Sequence, residues 1–226
     1  MQRPQTALAP PKAPSTGEIL RLFVAIAPPP GVLDELDALA APLRTTRDDL
    51  RWTSREAWHI TLAFLGEVEE TALAGLVPRL ERAARNHHQI QLAFAGAGAF
   101  PAPDRANVLW SGLSGDRLAL ADLAAVVRTG ASRAGATPPD KGRHFQPHLT
   151  LARCRLPADV SGIVAGLAGY QGQAWNADCI HLVRSDLGSR SNLSGRGPLG
   201  GPAKPRYSSV ARWPLRSPET APTTTG

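Results

Sequence analysis

Two short stretches of this chain repeat one pattern of histidine and threonine. The sequence reads HITL at 59–62 and HLTL at 148–151, and an alanine follows each copy. Histidine ionises near neutral pH, so one imidazole can remove a proton while a second donates one. Threonine hydroxyls can donate hydrogen bonds to an anionic oxygen. Two histidines and two threonines brought together could therefore act on a phosphodiester.

Alternation along a strand indicates how the two tetrads could form one site. Each copy lies in an apolar run typical of a strand, where side chains two residues apart share a face. His59 and Thr61 then point to one side, and the apolar residues beside them point to the other. The same holds for His148 and Thr150. Two such strands facing each other would place both imidazoles and both hydroxyls in one cleft.

The surrounding elements predict an α+β protein. Their order is strand, helix, strand, helix, strand, strand, helix, strand, helix, strand, strand, which has too many strands for a doubly wound parallel sheet. The repeated tetrad and the similar element order indicate an internal duplication. The predicted strands cover 19–26, 58–65, 90–94, 107–113, 148–153, 179–184 and 207–213, and the predicted helices cover 32–43, 69–86, 116–134 and 160–167.

Length and charge limit the class of protein. The 226 residues with 42% hydrophobic residues can form one domain of good size, predicted over 19–215 with disordered tails at 1–18 and 216–226. A formal charge of +6 fits an anionic partner such as RNA, although many basic proteins carry such charge for solubility alone. No apolar run reaches the roughly 20 residues of a membrane span, and the N-terminus lacks a signal peptide's apolar stretch. We expect a cytoplasmic monomer.

The other histidines favour structural roles. His87 and His88 end a predicted helix, where positive charge suits the helix dipole. His144 lies four residues before the second tetrad, a spacing that binds metals on a helix, but Pro147 argues against a helix there. His181 is alone on its strand, and we predict a structural role, with lining of the groove as the alternative.

The sequence also predicts that the site needs no metal or cofactor. Cys154 and Cys179 have no close cysteine partner, which argues against a zinc site or a disulfide framework. No carboxylate lies near either tetrad at a spacing that would complete a metal site. We therefore expect chemistry carried by histidine alone.

Residues beside the tetrads are candidates for contacts with RNA. Trp58 precedes His59 and so is expected to face the core, whereas Phe145 is the candidate for stacking on a base, with core packing as its alternative. Arg143 and Arg153 are candidates for phosphate contacts. Arg153 lies an odd number of positions from His148, so a regular strand would turn it away from the cleft.

These residues resemble the two-histidine phosphoesterase superfamily, and most closely its bacterial and archaeal RNA 2′,3′-cyclic phosphodiesterases, also called 2′-5′ RNA ligases. The resemblance covers about 21–215. It is carried by RLFVAI at 21–26, HITLAFLGEV at 59–68, NVLWSGL at 107–113 and RHFQPHLTLAR at 143–153. LVRSDLG at 182–188 and PRYSSVARWPL at 205–215 also fit.

The resemblance implies a bilobal fold with two antiparallel sheets, outer helices and a central cleft. It implies metal-independent hydrolysis of RNA 2′,3′-cyclic phosphate ends to 2′-phosphates, and some members join or cleave 2′-5′ linkages in tRNA fragments. His59 and His148 would be catalytic, and Thr61, Thr150 and Arg143 would bind phosphate. The residues alone leave open which histidine is the acid, and the resemblance favours His59 as acid with His148 as base.

One segment departs from the family pattern, and two other functions stay open. SRSNLSGRGPLGGPAK at 189–204 stands where relatives have a short link, and we predict a flexible basic loop over 188–205 that is a tolerated insertion or an RNA contact. The same site could act on small cyclic phosphates, such as a cyclic nucleotide or ADP-ribose cyclic phosphate. Alternatively, the protein binds RNA without catalysis, although both tetrads are intact.

Overall fold

The computed structural model of the protein describes residues 17–136, 144–186 and 206–217. Arg143, the predicted loop over 188–205 and most of both predicted tails lie outside the described residues. None of the helices described in these ranges is both long and apolar enough to cross a bilayer.

Strands dominate the described part of the chain, and four α-helices connect them. In chain order the elements are β1 (Ile19–Ile26), α1 (Pro30–Thr46), β2 (Leu50–Trp52), β3 (Ile60–Glu69), α2 (Leu73–Arg85), β4 (Ile90–Phe100), β5 (Ala106–Gly115), α3 (Arg117–Arg133), β6 (Leu149–Ala158), α4 (Ser161–Gly166), β7 (Trp175–Ala177), β8 (Cys179–Asp186) and β9 (Arg206–Pro214). The predicted order of helices and strands is thus recovered, with the short β2 and β7 added.

The described strands form one antiparallel sheet made of two halves. Its order is β7-β4-β5-β6-β3-β1-β8-β9, with β2 paired to β6. The two central strands, β3 and β6, meet through a single residue pair, Ile60 with Leu149. The α+β class with antiparallel strands is therefore confirmed, and the two predicted sheets are joined edge to edge at this pair.

The two halves repeat one connection. In the first half α1 leads from β1 to β3, and these two strands pair with each other. In the second half α3 leads from β5 to β6, which also pair. On each side of the central pair, the central strand is therefore joined through a helix to the strand that pairs with it, β1 with β3 and β5 with β6. This arrangement supports the predicted two-fold duplication.

The hydrophobic core lies on one face of the sheet, under the helices. Leu22, Val24 and Ile26 of β1 are buried in it, together with Leu36 of α1 and Leu80 of α2. α2 packs against α3, which in turn packs against β3. The helices cover this face, and the tetrad threonines belong to the other face of the central strands. The part of that face around His59, Thr61, His148 and Thr150 is called the groove.

Candidate active site

A short 3₁₀ turn places His59 at the entrance to β3. The turn covers Arg55–Ala57, and the Arg55 guanidinium forms an ion pair with Asp34 and donates to the Pro30 carbonyl of α1 at 3.0 Å. His59 follows this turn, and its Nδ1 lies 2.8 Å from the carbonyl oxygen of Ala57. A carbonyl can only accept a hydrogen bond, so Nδ1 carries the proton.

His148 is held in the same way in the other half. Its Nδ1 donates to the carbonyl oxygen of Gln146 at 2.7 Å, again two residues earlier in the chain. Both histidines therefore lie one residue before their strands, and the prediction that they lie within the strands was wrong by one position. In the neutral state each imidazole has Nε2 as its remaining, unprotonated nitrogen.

The central pair brings the two tetrads together. Ile60 and Leu149 face each other in antiparallel register. Extending this register by one residue places His59 opposite Thr150, and His148 opposite Thr61. An electrostatic effect agrees with this proximity, because a charge on His148 lowers the pKa of His59. The four residues predicted from the repeat thus lie around one point at the middle of the sheet.

Aromatic rings pack against both imidazoles. The ring centroid of Phe23 lies 4.7 Å from that of His59, and Tyr207 meets His59 edge-on at 5.3 Å. In the other half Phe100 meets His148 edge-on at 5.0 Å, and Trp110 lies 5.9 Å from it. Each imidazole is therefore fixed by a backbone hydrogen bond and by two rings. Sequence reasoning missed all four rings, because only the pairing of strands shows that they are adjacent.

Burial among these rings lowers the pKa of both histidines. Desolvation lowers the pKa of His59 from 6.5 to about 4, and the hydrogen bond to Ala57 only partly offsets it. Desolvation also lowers the pKa of His148, against the effect of its bond to Gln146. Arg153 contributes a further lowering at both sites. Both imidazoles are therefore neutral at pH 7 in the protein without substrate.

A bulge in β6 turns Arg153 toward the groove, which corrects the prediction that it faces away. Leu109 pairs with Ala152 and Trp110 pairs with Thr150, so Leu151 is the extra residue. The extra residue shifts the alternation by one position. Arg153 then shares the face of Thr150, in agreement with its effect on the pKa of both histidines.

The first tetrad has the same bulge. Ala25 pairs with Thr61 and Val24 pairs with Ala63, so Leu62 is the extra residue of β3. Phe64 then shares the face of Thr61 and is 45% exposed, at the position that corresponds to Arg153 in the repeat. The sequence signal for both bulges was the Leu-Ala pair after each threonine, two adjacent apolar residues that break strand alternation.

The other residues predicted to lie near the tetrads are found partly in the core and partly beside His59. Trp58 is buried in the core, as predicted. Phe145 is half-buried and packs against the core, so its role in stacking on a base stays a prediction. His181 lines a cavity beside His59, the alternative that the sequence left open. Arg143 lies outside the described residues, and its assignment to phosphate also stays a prediction.

Within residues 17–136, 144–186 and 206–217, no three side chains of histidine, cysteine, aspartate or glutamate lie close enough to hold a metal ion together. The expectation of metal-free chemistry stays a prediction that an activity assay must test.

Comparison with known proteins agrees with this geometry. A family model described as LigT-like phosphoesterase matches residues 26–110, a range that contains the first tetrad. A protein of Aeropyrum pernix named RNA 2′,3′-cyclic phosphodiesterase is 32% identical over 131 residues, which are 58% of this chain and 68% of that protein. The chain belongs to the LigT-like phosphoesterase family.

Other members of the LigT-like family extend the similarity over more of the chain. An RNA 2′,3′-cyclic phosphodiesterase of Methanothermobacter thermautotrophicus is 25% identical over 181 residues, covering 80% of this chain and 94% of that protein. A protein of the same name from Archaeoglobus fulgidus is 31% identical over 146 residues, covering 64% of this chain and 79% of its own length.

Solved structures share the fold. A crystal structure from Thermus thermophilus superposes with a TM-score of 0.67 at 26% identity, covering 88% of this chain and 99% of that one. Escherichia coli LigT in its apo form gives a TM-score of 0.66 at 25% identity with the same coverage. The similarity in fold therefore covers 88% of the chain.

Proposed function

We propose that this protein hydrolyses RNA 2′,3′-cyclic phosphate ends to 2′-phosphates through acid and base catalysis by His59 and His148. The observation that carries the proposal is the paired arrangement of the two imidazoles, each with Nδ1 bound to a carbonyl and Nε2 left for the groove. The names of the relatives in the LigT-like family support RNA cyclic phosphates as the substrate class.

The proposed reaction adds one water across one P–O bond. One imidazole takes a proton from water at Nε2 while the water oxygen bonds to phosphorus. The bond from phosphorus to O3′ breaks, and the second imidazole gives its Nε2 proton to O3′. The product is a 2′-phosphate with a free 3′-hydroxyl, and the two histidines then return to their starting protonation states by exchange with solvent. Each proton transfer typically contributes about 10² to 10⁴ in rate.

The acid form of one imidazole arises when substrate binds. Both histidines are neutral at pH 7 without substrate because burial lowers their pKa. A phosphate anion placed between them favours the positively charged form and so raises the pKa. Neutral imidazoles also avoid the cost of burying an unpaired positive charge. The site is therefore set to take up one proton together with its anionic substrate.

Thr61, Thr150 and Arg153 are the proposed contacts to the non-bridging phosphate oxygens. Both hydroxyls face the groove beside the imidazoles, and Arg153 influences both histidines electrostatically. A hydrogen bond to a charged oxygen is worth about 1.5 to 3 kcal/mol. These contacts gain strength as charge develops in the transition state. Arg143 stays a further candidate for the same anion.

The test is a turnover assay with EDTA present on a short RNA that ends in a 2′,3′-cyclic phosphate. We expect release of the 2′-phosphate and loss of activity in His59→Ala and in His148→Ala. His88→Ala is the matched control, because His88 is exposed, lies before β4 and pairs with Arg216 rather than with a tetrad strand. Loss of wild-type activity in EDTA, or near wild-type rates in both histidine variants, would reject the proposal.

The roles of the two histidines can be separated with a substrate that has sulfur in place of O3′. A thiolate leaves without a proton, so this substrate restores activity to the variant that lacks the acid and not to the variant that lacks the base. The prediction from family resemblance is rescue of His59→Ala. Rescue of His148→Ala instead would reverse the two roles without changing the reaction.

One observation favours small cyclic phosphates as a second candidate substrate. The cavity beside His59 is lined by apolar, aromatic, histidine, serine and glutamate side chains, and the described residues add no arginine or lysine to its lining. Equal kcat/KM values for a nucleoside 2′,3′-cyclic phosphate and for RNA would favour the small substrate. A higher value for RNA would favour RNA. A monomeric state and a cytoplasmic location stay predictions.

A further inference from the structure

A cavity of about 150 Å³ opens beside His59 on the groove side of the first half-sheet. Ala25 of β1, His59, Tyr207 and His181 are among the residues that line it. The proposed reaction uses the imidazole of His59 and leaves the rest of this cavity without a role. Its shape and its lining together indicate what it binds.

The shape of the cavity follows from a difference between the two halves of the sheet. The tetrad threonines start two matching rows of residues paired across three neighbouring strands. The first row is Thr61, Ala25 and His181 on β3, β1 and β8, and the second row is Thr150, Trp110 and Gly98 on β6, β5 and β4. A large residue therefore lies in the middle of the second row, and a small one in the middle of the first.

In the second row an indole fills the space over the sheet. Trp110 lies so close over Gly98 that a Cβ added at Gly98 would be 2.2 Å from the indole ring. In the first row Ala25 has only a methyl group, and His181 stands where the second row has Gly98. The cavity thus lies where the repeat would otherwise place a flat, two-ring aromatic group.

The lining suits a flat heteroaromatic ring. Phe23 and Tyr207 supply aromatic surface around His59, with 5.3 Å between their ring centroids. The neutral form of His181 is favoured, because desolvation, and to a smaller extent the charge of Arg212, lower its pKa. A neutral imidazole offers one hydrogen-bond donor and one acceptor. Asp178 partly offsets the lowering of the His181 pKa.

We propose that this cavity binds the purine base of the nucleotide that carries the cyclic phosphate, with His181 contacting the edge of the base. The proposal rests on the proposed function for the identity of the reacting group. The two rings of a purine match the indole that occupies the equivalent space in the second row. Aromatic side chains stack on bases, and an imidazole can bond to the donor and acceptor groups along a purine edge. His181 would then determine specificity without taking part in proton transfer.

The experiment compares three small substrates: adenosine 2′,3′-cyclic phosphate, uridine 2′,3′-cyclic phosphate and ribose 2,3-cyclic phosphate, which has no base. For the wild type we expect the KM to be lowest for the adenosine compound and roughly tenfold or more higher for the compound without a base. In His181→Ala the ratio of kcat/KM between the adenosine compound and the baseless compound should fall toward one. Val183→Phe enlarges a residue of the cavity wall that is paired with Phe23, and it should lower the same ratio by filling the space.

His88→Ala is the control and should keep the wild-type ratio, because it removes an exposed imidazole outside the groove. An equal KM for the adenosine and baseless compounds in the wild type would overturn the proposal. So would unchanged ratios in both His181→Ala and Val183→Phe. The second variant keeps the test valid if His181→Ala does not fold.

A binding measurement separates this proposal from the proposed function. Calorimetric titration compares adenosine 2′-monophosphate with inorganic phosphate, and it needs no turnover. Tighter binding of the nucleotide, reduced by His181→Ala, supports the base site even if the protein hydrolyses none of the three compounds. Equal affinities for nucleotide and phosphate overturn the base site even if hydrolysis proceeds.

Discussion

Replacement of Gly98 by alanine should reduce catalysis through two neighbouring side chains. An alanine Cβ at this position would lie 2.2 Å from Trp110, and ordinary contact begins at 3.4 Å, so the indole must move by about 1.2 Å (3.4 − 2.2). The indole cannot move freely, because it packs against Phe100 at 5.3 Å and His148 at 5.9 Å. The displacement therefore reaches the imidazole.

The size of the effect follows from this displacement. A shift of about 1 Å in a reacting group can cost about 10²-fold in rate. Part of the movement will be absorbed by Phe100, so we expect Gly98→Ala to lower kcat by about 10- to 100-fold. Overpacking of a buried contact typically costs about 1 to 3 kcal/mol in the free energy of unfolding. We expect a loss of stability in that range together with the loss of kcat.

The assay measures kcat, KM and denaturant unfolding for Gly98→Ala and for Gly98→Ala combined with Trp110→Phe. The smaller ring should make room for the new methyl group, so the double variant should recover part of the kcat. The interaction free energy between the two substitutions, measured from the free energies of unfolding, should be about 1 kcal/mol or more. Gly162→Ala in α4 is the matched control, because a Cβ there meets no atom within 4 Å. Wild-type kcat in Gly98→Ala, or a double variant no better than the single one, would refute the reasoning.

Three further predictions concern the tetrads and the charge of the groove. His59→Ala and His148→Ala should each lower kcat by about 10² to 10⁴, and Thr61→Val and Thr150→Val by about 10- to 100-fold, as steady-state kinetics would measure. The pKa of His59 is 6.5 when unfolded and about 4 when folded, so the unfolded chain binds more protons between these values. The free energy of unfolding should therefore fall by up to about 3 kcal/mol as the pH decreases from 6.5 to 4, and His59→Asn should flatten this dependence in denaturant titrations. Arg153→Gln should raise the KM for RNA and reduce its dependence on salt concentration, and an unchanged salt dependence would exclude Arg153 as a phosphate contact.

The sequence predicted the central elements well because their patterns are strong. β1 was predicted with its observed bounds, Ile19–Ile26, from a mostly apolar run that is followed by prolines. β4 was predicted to stop at Phe94 but continues to Phe100. The Gly and Ala residues of that extension resemble a turn, yet pairing with β5 along its whole length keeps it extended. β7 has three residues, too few for a pattern.

The site was predictable only in part. The repeat predicted that His59, Thr61, His148 and Thr150 lie together, and the register of β3 and β6 brings them together, while their catalytic roles stay a prediction. Their environment was not predictable, since the rings against the imidazoles come from strands far apart in the chain. Arg153 shows the limit most clearly, because a single bulge reversed the face that regular alternation assigned to it.

The pairing of β1 has a consequence for how the chain acquires its structure during synthesis. β1 and β3 leave the ribosome early, yet the other edge of β1 pairs with β8, and Ala25 meets a residue 156 positions later (181 − 25). β9, which carries Tyr207, is made later still. Until those strands emerge, the edge of β1 is unpaired and the ring of His59 lacks one of its supports. The second half-sheet has its main strands close together in the chain, so the nascent protein can assemble the environment of His148 before that of His59.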